Sequence, residues 1–374
     1  MTDAAPEPDR IEGAPHPRET PRLFGQDKAE RDFLDTFSSG RLHSGWLITG
    51  PRGTGKATLA WRIATFLLAD DPRAAEDGLF GAPPPPASLD LPPDHPDVRL
   101  VRAGAHPRLY LVRRPLDDKG QLRAEITVDA VRGLKGFFHM SAADGGRRVV
   151  IVDAADEMNR SAANAILKEL EEPPALTTLL LISHQPSRLL PTIRSRCREL
   201  RCATLTPAAL AAALDQAGIH TDAPDALAAL SGGSAGDAIR LLRHDGLALY
   251  AEIVRTLDTL PRLDRPAVLR LAESCTGKSN DARYALVLDL IDHVLARAAR
   301  AGLMGEPTTQ GALGEARLLS RLSPDNHAAR RWAALQQTLS ARARHGRAVN
   351  LDPAALILDM FLAIEKSALS HAAA

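Results

Sequence analysis

A glycine-rich loop set between an apolar run and a helical run constrains this chain more than any other segment. The apolar run Trp46–Thr49 leads directly into Gly-Pro-Arg-Gly-Thr-Gly-Lys at residues 50–56, and a helical pattern follows over residues 59–69. Glycines allow such a loop to turn its backbone N–H groups inward, the next helix offers its positive end, and the lysine reaches phosphate oxygens. The segment therefore predicts a phosphate-binding loop (P-loop), with these nucleotide-binding residues: Gly50, Gly53, Gly55 and Lys56.

Two further apolar runs predict the sheet that carries this loop. Val149–Val152 and Thr178–Ile182 are nearly continuous in apolar residues, as expected for strands buried on both faces. Such runs alternate with helical patterns up to about residue 203, and none follows Pro207. We therefore predict an α/β P-loop domain with a parallel sheet covered by helices, followed only by helical units. The expected boundaries are a disordered leader (1–22), the α/β domain (23–203, with a Pro-rich insertion of little helix at 70–107), a small helical domain (204–246) and a longer helical domain (247–374).

The residues that hydrolysis of a bound nucleotide requires are incomplete. Ala57 stands where the motif needs a hydroxyl on Mg²⁺, and a methyl group cannot bind a metal. Thr58 carries a hydroxyl but comes one position too late. Asp153 ends an apolar run and is a carboxylate placed to meet Mg²⁺, whereas Ala154 occupies the next position, where hydrolases usually have a glutamate that orients water.

The balance of charges excludes a chain that holds nucleic acid by bulk charge. Forty-six Lys and Arg residues match 46 Asp and Glu residues, so contact with a phosphate backbone requires a local patch. No apolar run approaches the ~20 residues that a membrane-spanning helix needs. We expect a cytoplasmic protein.

Metal and disulfide sites are not expected either. Three cysteines are too few for a disulfide framework and lack the paired spacing of a zinc site, which favours a reducing compartment. His95, Asp97 and His106 lack a fourth ligand and are interpreted as ordinary loop residues, so we expect no zinc.

Five segments together resemble the clamp-loader AAA+ proteins of bacterial DNA polymerase III. The L-E-E-P-P and S-R-C elements, at their distance from a P-loop, are the most specific. The resemblance covers nearly the whole chain, including residues 349–353 near its end, and is weakest over 70–106. The segments are Gly25-Gln26, Gly50–Thr58, Asn164–Lys168, Leu170–Pro174 and Thr192–Cys197.

The resemblance implies an architecture and a set of partners. It implies an AAA+ domain followed by a helical lid and an all-helical collar, within a ring of five related subunits that uses ATP to open a sliding clamp and place it on primed DNA. The implied partners are the gamma/tau and delta subunits, the sliding clamp and, through the assembled complex, primed DNA. The chain would thus belong to a complex with DNA-directed DNA polymerase activity.

The resemblance also assigns roles to individual residues. The arginine of S-R-C is a finger that projects into the ATP site of the neighbouring subunit, and it matches Arg196. The alternative is a surface arginine, beside Arg194 and Arg198, that binds nothing or touches DNA. The lid of hydrolysing relatives has an arginine that senses the γ-phosphate, and here Gly236 replaces it. Because Ala57 and Ala154 remove two further groups, the favoured reading is a non-hydrolysing subunit that requires no cofactor.

The sequence is compatible with three further possibilities. The intact loop leaves open whether ATP or ADP binds without efficient hydrolysis. The first alternative function is an ATP-hydrolysing gamma/tau-like subunit, in which Thr58 and either Asp156 or Glu157 compensate. A second alternative is an autonomous DNA-binding module, suggested by arginine clusters such as Arg147-Arg148, although the balanced charge argues against it.

Overall fold

The structure, a computed structural model, describes residues 7–70, 85–140 and 145–372. Two compact units make up the chain: residues up to 220 together with 234–236, and residues 221–233 together with those from 237 onwards. The finer division into a lid (204–246) and a collar (247–374) stays a prediction. Within the described ranges, no helix combines the length and the apolar character that crossing a bilayer requires.

The first unit is built on a five-stranded parallel sheet with the strand order β2-β3-β4-β1-β5. This confirms the predicted α/β architecture. Strands β1, β3 and β4 occupy the centre of the sheet and coincide with the three apolar runs of the sequence. The strands are β1 Gly45–Thr49, β2 Leu109–Arg113, β3 Arg148–Asp153, β4 Thr177–Ser183 and β5 Arg198–Arg201.

Helices cover both faces of this sheet. Alternate residues of the central strands enter two separate hydrophobic clusters: Trp46 and Ile48 of β1 pack in one, and Leu47 packs in the other. Because both faces are buried, the central strands need apolar residues at nearly every position. The helices of this unit are α1 Asp27–Ser38, α2 Lys56–Ala69, α3 Pro96–Arg102, α4 Val128–Met140, α5 Arg160–Glu171, α6 Pro191–Arg194 and α7 Pro207–Gln216.

The N-terminal segment differs from the expected disordered leader. Residues 7–22 lie on the first unit, with a short 3₁₀ turn at Pro17–Glu19. His16 is buried against the ring of Trp61, and the Pro21 carbonyl accepts a hydrogen bond from Arg62. The acidic and basic residues of this segment find partners on the domain, which its composition alone does not reveal. Residues 1–6 of the predicted leader lie outside the described residues.

The predicted Pro-rich insertion contains one short helix. Helix α3 begins at Pro96, where the fixed φ of proline suits the first turn, and His95 caps it by accepting a hydrogen bond from the Asp97 backbone N–H. This helix has seven residues, and the expectation of little helix over 70–107 stays a prediction. Residues 71–84 of the insertion lie outside the described residues.

The second unit is helical throughout its described residues, as the sequence predicts. Its buried Glu315 carboxylate accepts a 2.6 Å hydrogen bond from the Tyr250 hydroxyl and pairs with Arg297. Gly311 donates its backbone N–H to the same carboxylate, so one side chain fixes the loop before α13. The helices are α8 Pro224–Ser231, α9 Ala235–Arg243 (whose first two residues group with the first unit), α10 Gly246–Asp258, α11 Arg265–Glu273, α12 Asp281–Met304, α13 Glu315–Leu322, α14 Asn326–Ala348 and α15 Pro353–Ala372.

Candidate nucleotide site and arginine finger

The P-loop connects the carboxyl end of β1 to the start of α2. Gly50, Gly53 and Gly55 have φ angles of 142°, 72° and 93°, which residues with a Cβ atom rarely adopt. Within the loop, the Thr54 hydroxyl donates a 2.9 Å hydrogen bond to the Pro51 carbonyl. The glycines of the motif are therefore used where the backbone conformation requires them.

Lys56 is folded back onto its own loop. It is only 3% exposed, and its Nζ donates a hydrogen bond to the Pro51 carbonyl. Burial lowers the pKa of Lys56 to about 8, although the nearby charges of Asp153 and Asp156 oppose this shift. A lysine in this position satisfies a loop carbonyl, so binding phosphate would require it to exchange one partner for another.

Asp153 is the last residue of β3. It therefore lies at the carboxyl ends of the parallel strands, as the P-loop does. Burial raises the pKa of its carboxyl group to about 7, and the negative charges of Asp9 and Glu157 add to the increase. A carboxyl group that is buried beside other acids ionises readily only when a cation binds next to it. The predicted Mg²⁺ carboxylate is thus close to the loop lysine but is surrounded by other acids.

The two acids that were considered as substitutes for the missing glutamate have other partners. Both lie in the 3₁₀ turn Ala155–Glu157. The Asp156 carboxylate accepts a 3.0 Å hydrogen bond from the backbone N–H of His184. Glu157 forms ion pairs of 3.1 Å with Arg52 and 2.8 Å with Arg114. These contacts tie both carboxylates to the protein itself.

Positions 57 and 58 of the motif lie in the first turn of α2. Ala57 packs against the hydrophobic cluster on one face of the sheet. Thr58 is buried in the first turn of α2. The chain thus has an apolar contact where the motif has its metal-binding hydroxyl.

Residues 234–236 lie directly on the P-loop. The Gly53 carbonyl accepts hydrogen bonds of 2.9 Å from the Ala235 N–H and 3.4 Å from the Gly236 N–H. A methyl group placed on Gly236 would lie 3.3 Å from the Gly53 Cα atom. Gly236 is therefore part of a close backbone contact, which a larger side chain would disturb.

Sequence reasoning gave no role to Gln26, which holds the P-loop in place. Its side chain is 3% exposed, and its amide donates hydrogen bonds to the carbonyls of Thr54 (2.9 Å) and Ala203 (2.8 Å). Its amide oxygen accepts a 2.8 Å hydrogen bond from the Ala203 N–H. One glutamine thus joins the P-loop to the segment that follows β5. The conspicuous Gly25-Gln26 pair was the only available signal.

His184, directly after β4, was also missed. Burial lowers its pKa to about 4, and the positive charge of Lys56 contributes to this shift. Its Nδ1 atom is buried and has no hydrogen-bond partner within the described part of the chain. The signal that could have found it is general, because polar residues at the carboxyl ends of parallel strands gather at one edge of the sheet.

Arg196 lies between α6 and β5. It is near the amino end of β1, whereas the P-loop follows the carboxyl end of the same strand. Its backbone carbonyl would be 3.2 Å from a Cβ atom placed on Gly45, the first residue of β1. The guanidinium group is 2.7 Å from the Glu171 carboxylate and donates a 3.1 Å hydrogen bond to the Thr192 carbonyl. Its side chain retains 37% of its exposure, so it is accessible from outside the unit.

The candidate zinc residues bind one another. The Nε2 atom of His106 is 3.0 Å from Asp97 Oδ1, and its Nδ1 atom accepts a hydrogen bond from the Arg108 N–H. His95 caps helix α3. All three side chains therefore have structural roles in this loop.

Comparisons with known proteins agree with the resemblance. Residues 25–206 match a family described as "DNA polymerase III, delta subunit". The chain is 44% identical over 233 residues to DNA polymerase III subunit delta' of Pseudomonas aeruginosa, a match that covers 61% of this chain and 64%, just under two thirds, of that relative. It is 29% identical over 334 residues to the Escherichia coli delta' subunit, covering 88% of this chain and 91% of the relative.

A more distant similarity extends to another kind of subunit of the same polymerase. The DNA polymerase III gamma/tau subunit of Mycobacterium tuberculosis H37Rv is 29% identical over 232 residues, which span 59% of this chain and 36% of that relative. The delta' matches have higher identity or span more of the chain. The chain is thus similar in sequence to the DNA polymerase III delta' subunits over most of its length, and it carries its P-loop on a parallel five-stranded sheet.

Proposed function

We propose that this chain is a non-hydrolysing clamp-loader subunit that donates Arg196 to the ATP site of a neighbouring subunit. In this role it helps to hold the loader ring while the sliding clamp is placed on primed DNA. The observation that carries the proposal is the position of Arg196. Its guanidinium is partly exposed, and the residue lies at the amino end of β1, whereas the chain's own P-loop follows the carboxyl end.

The distance between Arg196 and the chain's own P-loop favours action of Arg196 on another chain. Residues 45 to 49 form β1, with the Arg196 carbonyl beside its first residue and the P-loop after its last. A strand rises about 3.3 Å per residue, so the two features are separated by about 13 Å along the strand. An arginine finger stabilises charge that develops on the transferred phosphoryl group and therefore has to reach it directly. Arg196 is better placed to meet a neighbour's nucleotide than its own.

The chain's own site supports the non-hydrolysing role. Ala57 contacts the hydrophobic core, and Asp156 and Glu157 are engaged by backbone and arginine groups. Compensation by these acids would require breaking existing contacts. Phosphoryl transfer depends almost entirely on positioning and charge, so each missing group lowers the rate substantially.

The partner that receives Arg196 would be a gamma/tau subunit. The chain shares 29% identity over 232 residues with a gamma/tau protein, as expected for related subunits of one ring. The delta subunit, the sliding clamp and primed DNA complete the proposed set of partners. Neither a bound metal nor nucleotide in the chain's own P-loop is required for this role.

The proposal is tested by measuring ATP turnover in the assembled loader with clamp and primed DNA. Arg196→Ala is expected to lower turnover at the neighbour's site by a factor of about 10³, since arginine fingers contribute about 10³–10⁵ in comparable enzymes. Arg194→Ala is the matched control, because Arg194 is an exposed arginine of the same turn. Arg196→Lys keeps the charge but loses the planar fork, and is expected to recover little activity.

The same assay distinguishes the ATPase alternative. The isolated chain is expected to turn over ATP far more slowly than the assembly. Turnover by the isolated chain near that of the whole loader, together with normal assembly turnover for Arg196→Ala, contradicts the proposal. Gel filtration of each variant with its partners separates a loss of assembly from a loss of catalysis.

A further inference from the structure

The N-terminal segment of residues 7–19, here called the strap, is fixed to the first unit by a buried polar cluster. Asp9 accepts a 3.1 Å hydrogen bond from the indole N–H of Trp61 in α2. His16 packs edge-on against the same indole, with ring centroids 5.7 Å apart, and its Nε2 atom is 3.2 Å from Asp9 Oδ1. The Nδ1 atom of His16 accepts a hydrogen bond from the Arg18 N–H, so Nε2 carries the proton that faces Asp9.

A second attachment joins the strap to the sheet. Glu7 forms ion pairs of 3.1 Å with Arg113 and 3.0 Å with Arg18. Arg113 is the last residue of β2 and is in register with Asp153, the last residue of β3. The strap therefore reaches the carboxyl ends of the strands, where the candidate nucleotide site lies.

A third contact places the strap against the P-loop region itself. A methyl group on Gly236 would be 2.8 Å from Cδ1 of Ile11 on one side and 3.3 Å from the Cα atom of Gly53 on the other. Gly236 is thus enclosed between the strap and the P-loop. A Cβ atom on Gly55 would be 2.8 Å from Leu23, just after the strap, so the chain stays close to the P-loop as it leaves the strap.

The charge of the strap is unfavourable for a bound triphosphate. Glu7 and Asp9 both approach His16 Nε2, at 3.3 and 3.2 Å, and Glu7 also pairs with Arg113, which is in register with Asp153. Although burial opposes its ionisation, the contact with His16 and the hydrogen bond from Trp61 hold the pKa of Asp9 below its usual value. Asp9 is therefore ionised, and it adds an anion where a Mg²⁺–triphosphate would bring more.

We propose that the strap is an intramolecular cover that holds the P-loop closed against nucleoside triphosphates and diphosphates, and that its release opens the loop to nucleotide. The contacts of Ile11 and Glu7 hold the strap near the loop, and Asp9 supplies repulsion. Under this proposal, weak nucleotide binding is a property of the N-terminal segment as well as of Ala57 and Gly236. This inference is independent of the action of Arg196 on a neighbour.

The experiment uses the full chain and measures binding of a fluorescent N-methylanthraniloyl (mant) ADP in the presence of Mg²⁺. The double variant Asp9→Ala/Ile11→Ala removes the Trp61 contact and the Gly236 contact together. It is expected to bind the probe at least tenfold more tightly than the unmodified chain. Adding Lys56→Ala to the double variant is expected to abolish this gain, because the gain arises at the P-loop. Glu19→Ala, an exposed acid at the end of the strap, is the matched control.

Release of the strap is measured separately by tryptic cleavage after Arg18, which its ion pair with Glu7 restrains. Faster cleavage in the double variant, with probe affinity within twofold of the unmodified chain, overturns the proposal. Absence of probe binding by both chains overturns it as well. If cleavage is unchanged, Glu7→Ala is added and the same criteria apply. Arg196→Ala is expected to change neither readout, which separates this proposal from the proposed function.

Discussion

The guanidinium of Arg196 lies 2.7 Å from the carboxylate of Glu171, the first acid of the L-E-E-P-P element. Both side chains are partly exposed, and Arg196 also contacts the Thr192 carbonyl. Two motifs that are 25 positions apart in sequence therefore meet in one ion pair. The pair orients the arginine in the free subunit without burying it.

Glu171→Gln is expected to leave the stability of the chain nearly unchanged. Exposed ion pairs contribute about 0.2–1 kcal/mol, so chemical denaturation should show a loss below about 1 kcal/mol. Because the arginine is partly held by Thr192 as well, ATP turnover of the assembled loader should stay within about twofold of the normal rate. A defect as large as that of Arg196→Ala would mean that Glu171 itself acts at the interface, and not merely on the orientation of Arg196.

Gln26→Ala is expected to destabilise the first unit by about 1–3 kcal/mol, since it leaves the buried Thr54 carbonyl without its side-chain donor. The contacts with both Thr54 and Ala203 are lost in one substitution. Urea denaturation monitored by circular dichroism measures the change. Gln185→Ala is the matched control, because Gln185 is exposed. Equal effects of the two substitutions would refute the role of Gln26 in holding the P-loop.

The centre of the fold could be predicted from the sequence, whereas its edges could not. Strands β1, β3 and β4 are buried on both faces and so appear as continuous apolar runs. Strand β5 reads Arg-Glu-Leu-Arg, and only Leu200 is buried, because β5 lies at the edge of the sheet. An edge strand of this kind needs few apolar residues, and its pattern resembles that of a loop. Strand β2, at the other edge, was also missed, although it reads Leu-Tyr-Leu-Val-Arg and four of its five residues are hydrophobic.

The candidate site divides in a similar way. The P-loop and Asp153 were predictable because their spacing along the chain is fixed by local geometry. The strap was not, since Asp9 and His16 meet Trp61 across about 50 positions of sequence. Its composition, rich in proline and charge, is typical of disorder when it has no partners. Only the fold shows that Trp61 and Arg113 supply them.

Gly53→Ala is expected to lower the free energy of unfolding by more than the positive φ angle of Gly53 alone explains. A Cβ atom there would lie 2.9 Å from the Gly236 nitrogen and 3.2 Å from its Cα atom, in addition to the strain of φ 72°. Gly104 has φ 67° with nothing within 4 Å, so Gly104→Ala measures the conformational cost by itself, about 1–2 kcal/mol. Gly53→Ala should exceed this control by at least about 1 kcal/mol in chemical denaturation. Similar losses for the two variants would show that residues 234–236 do not press on the P-loop.

His293 makes the second unit sensitive to acid. Its ring packs against that of Tyr250, with ring centroids 6.1 Å apart, and burial lowers its pKa to about 4. The positive charges of Arg297 and Arg300 add to this shift, and the negative charges of Glu315 and Asp292 oppose it. The unfolded chain, with a histidine pKa of about 6.5, binds this proton more readily than the folded chain. The contribution to stability is therefore complete above about pH 6.5 and is lost as the pH falls towards 4.

His293→Gln is therefore expected to flatten the dependence of stability on pH. One proton taken up on unfolding gives a slope of up to about 1.4 kcal/mol per pH unit, and the variant should lose this part of the slope between pH 6.5 and 4. Urea denaturation at half-unit intervals of pH measures it. His327→Gln is the control, because His327 is an exposed histidine of the same unit. An unaltered slope in the His293 variant would mean that other groups cause the acid sensitivity of this unit.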